Sequence, residues 1–93
     1  MNQEEKRLFE LLDDYSRRRH RCFVAELFPD PDQSGYTICF RPTGVRKDSP
    51  NRSACAYVRV QLEQAKVASR EKALTKTILK QLDKKLRPLE ELA

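Results

Sequence analysis

Leu8, Leu11, Leu12 and Tyr15 recur at i, i+3, i+4 and i+7 near the start of the chain, with charged and polar residues between them. That period puts one apolar stripe on a helix, and Phe9 widens its edge. Asn2 stands at the N-cap position with Glu5 three residues on, a capping-box-like pair that satisfies orphan backbone donors. Glu4 and Glu5 suit the positive end of the helix dipole, and Arg17, Arg18 and Arg19 suit the negative end. The pattern predicts a helix over about residues 3–19.

The pattern then shortens to a period of two. Residues 22–28, CFVAELF, are rich in β-branched and aromatic side chains and stop at Pro29, which predicts a strand with Phe23, Ala25 and Leu27 on one face. PDPDQSG is turn-forming, and Tyr36, Ile38 and Phe40 then alternate with Thr37, Cys39 and Arg41 as a second strand. The two make a hairpin. After the turn-rich stretch 42–53, Ala56, Val58, Val60 and Leu62 alternate with Tyr57, Arg59 and Gln61. A third strand in an antiparallel meander is the simplest reading, with a helix over 54–64 as its competitor, because short apolar runs are ambiguous.

Helical spacing returns in the last segment. Leu74, Ile78, Leu82 and Leu86, with Leu79, form a stripe that belongs against the sheet, with Ser69 as N-cap and Pro88 as stop. The tail LEELA either docks or frays. The predicted fold is α+β in the order α-β-β-β-α, a three-stranded antiparallel sheet with two helices packed on one face. Residues 1–93 form one small basic domain, with no repeat, low-complexity tract or linker.

At 93 residues the chain has room for one core and none for separate cofactor and substrate domains. Its longest uncharged run, Gln33 to Phe40, is far short of a membrane span, and the start is charged rather than signal-like, so a cytoplasmic protein with no membrane partner is expected. The net charge of +5 is uneven: residues 1–46 carry eight basic and eight acidic groups, and residues 47–93 carry eleven and six. A positive field of that kind favours polyanions or acidic proteins, or simply keeps the surface solvated.

Three cysteines, Cys22, Cys39 and Cys55, include no CxxC pair, which fits neither a disulfide framework nor a zinc ribbon. They are expected to be free thiols. His20, Cys22, Cys39 and Cys55 are the one conceivable zinc set, but only His20 and Cys22 are close in sequence, and no metal is expected. Residues 30–35 open like a calcium loop, D-x-D-x-S-G, yet its twelfth position is Arg41, a cation where a bidentate Glu belongs. Catalysis finds no footing. His20 is the lone histidine among four arginines that disfavour its protonation, Asp13 and Asp14 point apart on a helix, and no GxSxG, HExxH or glycine-rich phosphate loop occurs. Neither an enzyme, a cofactor nor a small-molecule substrate is expected.

Lys72, Lys76, Lys80 and Lys84 recur every fourth residue on the face opposite the leucines, spaced roughly 6 Å apart along the helix. Between residues 72 and 87 only Asp83 is acidic, so the face suits phosphates better than a merely solvated surface requires. Arg17, Arg18 and Arg21 around the first helix end, the exposed loop residues Arg46, Lys47 and Arg52, and Arg70 are the further candidate contacts.

Ser69-Arg70-Glu71-Lys72-Ala73 is similar to the start of the basic helix motif of double-stranded-RNA-binding domains, and the element order resembles that family and the RNA-binding proteins of the signal recognition particle. The resemblance implies phosphate contacts and favours RNA slightly over DNA. A nucleic-acid-binding module is therefore the first functional reading. The alternative is a small adaptor or inhibitor that docks on a larger protein through the free sheet face at Thr37, Cys39 and Tyr57, or through an edge strand.

Overall fold

A computed structural model describes residues 2–44 and 55–91. Arg46, Lys47 and Arg52 lie outside the described residues. The fold is α+β: helix α1 (Gln3–His20), strands β1 (Cys22–Pro29), β2 (Gly35–Pro42) and β3 (Ala56–Gln61), then helices α2 (Leu62–Glu71) and α3 (Lys76–Glu90). The sheet is an antiparallel meander in the order β1-β2-β3.

Local chemistry sets the bounds of α1. Asn2 Oδ1 accepts from the Glu5 amide at 2.8 Å, and Asn2 Nδ2 donates to the Glu5 carboxylate at 3.1 Å. Arg21 closes the helix in the left-handed region, its N–H returning to the Ser16 carbonyl.

One core joins the helices to one side of the sheet. Leu8 and Leu12 of α1, Ala65 and Ala68 of α2, and Ile78, Leu82, Leu86 and Leu89 of α3 pack with Val24, Leu27, Ile38, Phe40, Val58 and Val60. The expected face of β1 is corrected here. A bulge between Val24 and Glu26 resets the alternation, so Cys22, Val24 and Leu27 point into the core while Phe23 lies on the opposite side. The far face of the sheet then reads, strand across strand, Phe28–Thr37–Arg59 and Glu26–Cys39–Tyr57, with Phe23 opposite Arg41.

The C-terminal helix expected from Ser69 is two helices. β3 ends at Gln61 and Leu62 opens α2, whose inward residues Ala65, Ala68 and Ser69 are too small to have marked an apolar stripe. Ser69 is therefore buried inside α2 rather than capping α3. Thr75 caps α3, accepting from the Ile78 amide at 3.3 Å and donating to Gln64 Oε1 at 2.6 Å. Pro88 does not end that helix but sits within its last turn. Leu89, buried in the core, and Glu90, bonded to His20, carry the chain onward past the proline.

Lys72 ends α2 in the left-handed region with φ 55°. There glycine loses a Cβ clash, whereas in a helix interior it costs about 1 kcal/mol. Lys72→Gly is expected to hold stability constant or raise it by about 0.5 kcal/mol in urea denaturation. A loss near 1 kcal/mol would restore a continuous helix through this point.

Candidate nucleic-acid interface

The basic surface is built on α3. Its buried residues Ile78, Leu82, Leu86 and Leu89 hold one side against the sheet. At about 100° per residue, Lys76, Arg87, Lys80 and Lys84 then share an arc of roughly 80° on the opposite side. All four are exposed. Lys85, also exposed, lies towards the sheet-side edge of the helix.

Lys72 does not belong to this row. It caps α2 and borders a shallow depression with Lys6, Arg7, Glu10 and Asp14 of α1. The four-lysine stripe expected from the sequence is reduced to three by the break at 72–75. Arg87 is the residue that the every-fourth-lysine pattern missed, and its signal was present, since eleven residues after Lys76 is three helical turns.

What isolates these cations is the histidine behind them. His20, only 4% exposed, directs Nε2 to Asp83 Oδ1 at 2.7 Å and Nδ1 to Glu90 Oε1 at 3.0 Å. The doubly protonated ring can donate to both. The Tyr15 hydroxyl also donates to Asp83 Oδ1 at 2.7 Å. These hydrogen bonds, from Tyr15 first and then His20, hold the Asp83 carboxyl below its ordinary range, against the opposing effect of burial. Burial raises the Tyr15 hydroxyl, and Asp83 raises it further. The sequence placed His20 among arginines; in space its ring bonds two carboxylates on α3, and Arg19 also acts on one of them, Asp83.

Asp83 and Glu90 are the only acids within α3, and both serve His20. Among the described residues no ion pair forms at Lys76, Lys80, Lys84, Lys85 or Arg87. Glu91 follows at the end of the helix, beside Lys84 and Arg87.

The arginines at the end of α1 are differently placed. Arg17 pairs with Asp13 at 2.9 Å and lies 5.3 Å from the Phe23 ring centroid, and Arg18 pairs with Asp14 at 2.7 Å. Their charges are largely answered within α1. Arg21 is exposed, and its carbonyl is held by the Thr43 amide and hydroxyl. Arg70 is exposed in the last turn of α2, so the likeness of Ser69–Ala73 to a motif that opens a basic helix does not hold in the fold.

The cysteines are free thiols among the described residues, and they do not converge. Cys22 is in the core, its thiol pushed up to about 11 by burial, with Glu90 adding to the effect. Cys39 lies on the other side of the sheet, in a cleft with Cys55. Burial is the main cause that raises the Cys39 thiol, and Cys55 beside it is the next. With both nitrogens of His20 committed to carboxylates, the conceivable zinc set is divided between two faces. The aspartates of 30–35 are likewise occupied: Asp30 takes the Thr37 hydroxyl at 2.9 Å and Arg59 Nε at 3.1 Å, and Asp32 takes the Ser34 hydroxyl at 2.6 Å. These bonds tie a hairpin turn.

No helix among the described residues is long and apolar enough to cross a membrane. No protein-family model, curated protein or solved structure matches the chain.

Proposed function

We propose that the chain is a small nucleic-acid-binding module whose outer α3 face, Lys76, Lys80, Lys84 and Arg87, contacts phosphates. One observation carries the reading: both acids within α3, Asp83 and Glu90, bond to His20, and the outer cations form no ion pair among the described residues. Such a row suits a polyanion because neutralising phosphates releases condensed counterions. A lysine at the first position of α3 also opposes the helix dipole, an unfavourable arrangement that a bound anion relieves. Arg21 and Arg70 stand at the margins, and Arg17 and Arg18 contribute less because each has an acid within α1.

Four such contacts give log affinity a slope of roughly −3 to −4 against log salt. Replacing Lys76 and Lys80 with Gln is expected to weaken binding alike for all sequences and to flatten that slope by about two. Folding stability should change by under about 0.5 kcal/mol, because both side chains are exposed. Titrations of single- and double-stranded RNA and DNA at several salt concentrations measure this and separate the nucleic acids. Unchanged affinity in the double variant, or no binding by the parent at low salt, would overturn the reading and leave the larger-protein partner.

A further inference from the structure

We propose that the far face of the sheet is an interface between two copies of this chain. Phe28 (42% exposed) and Tyr57 (59% exposed) are the large exposed hydrophobic side chains among the described residues. Both lie on this face, on the two edge strands, with β2 between them. Exposed aromatic area gathered on one side of a small domain marks an interaction surface rather than ordinary solvated surface.

The charges on the face select the partner. Arg59 is answered by Asp30 on the same face, at 3.1 Å. That leaves Glu26, exposed on β1, and Arg41 on β2, neither in an ion pair among the described residues. The Arg41 guanidinium stacks on Phe23, 4.6 Å from the ring centroid; its Nε and Nη1 are buried with no acceptor among the described residues, so Nη2 is the nitrogen open to a partner's carboxylate. Among the described residues the face is thus electrically balanced, which suits neither a polyanion nor an acidic protein. It calls for a partner with one acid and one base in complementary places.

A second copy offers both. In a two-fold contact each pairing is made twice, Glu26 of one protomer with Arg41 of the other and the reverse. Three strands about 4.8 Å apart and six to eight residues long give a footprint of roughly 14 by 23 Å, or about 320 Å² a side, which is below the roughly 800 Å² per partner of a stable dimer, so weak association in the high-micromolar range is expected. The α3 cations lie on the opposite side of the molecule and stay free in such a dimer, so this inference stands or falls independently of nucleic-acid binding.

Sedimentation of the full chain from about 1 to about 500 µM tests it, across the range where such an interface dissociates. The expected result is a reversible monomer–dimer equilibrium that Glu26→Arg, Arg41→Glu and Phe28→Ser each weaken at least about tenfold. An equimolar mixture of Glu26→Arg and Arg41→Glu chains should regain the parental equilibrium, since each then meets its opposite charge at both contacts. A parent that stays monomeric throughout would overturn the proposal, even if the variants lowered single-stranded nucleic-acid binding instead. So would a dimer that the variants leave at parental strength, or a mixture that does not recover. Glu26 and Phe28 are exposed, so their variants decide the matter if Arg41→Glu does not fold.

Discussion

Gly35→Ala is expected to destabilise the protein by roughly 3 kcal/mol, through overpacking against backbone that has little room to yield. A Cβ built on Gly35 would meet the Val60 carbonyl oxygen at 2.1 Å and the Gln61 Cα at 2.9 Å. The residue's φ of 157° is one that L side chains rarely adopt. Its place in the fold sets the consequence. Gly35 pairs with Gln61 where β3 ends, and the neighbouring Ser34 carbonyl accepts the Leu62 amide at 2.9 Å as α2 begins. Separating these chains would loosen the junction that aims α2 back over the sheet. Chemical denaturation measures the loss, and faster hydrogen exchange at the Leu62 amide would locate it. A change below about 0.5 kcal/mol would mean that the two strands do not approach as described.

Leu82→Ala should cost about 2–5 kcal/mol, the range for truncating a buried leucine into a partly collapsed cavity. Leu82 is fully buried at the middle of α3, between Ile78 and Leu86. For a domain whose total stability is of order 5–15 kcal/mol the loss is a large share, and a melting temperature lower by roughly 10–30 °C follows. Lys84→Ala, two residues away on the exposed side, should stay within about 0.5 kcal/mol. Equal effects at the two positions would show that the stripe does not face the core.

The contrast between those two residues was legible before any fold was known, because helical spacing alone separates Leu82 from Lys84. The break before α3 was not. Leu74 and Ile78 keep the same spacing whether or not the backbone between Glu71 and Lys76 is helical, so periodicity carries no mark of the left-handed turn at Lys72. α2 escaped for a related reason: Ala65, Ala68 and Ser69 are buried without forming a leucine stripe. On β1 one inserted residue at the bulge was enough to move Phe23 from the expected core face to the exposed one.

By itself the sequence determined α1 with its Asn2 cap, the three-stranded meander, the leucine side of α3 and the basic excess of the second half. Each rests on spacing, capping or composition, which act between residues a few positions apart. Only the tertiary structure decided which charges are free. His20 meets Asp83 and Glu90 across 63 and 70 residues of chain, while Arg17 and Arg18 find acids one turn back on their own helix. A side chain's charge is written in its residue type, but whether it is neutralised depends on what the fold brings within hydrogen-bonding distance.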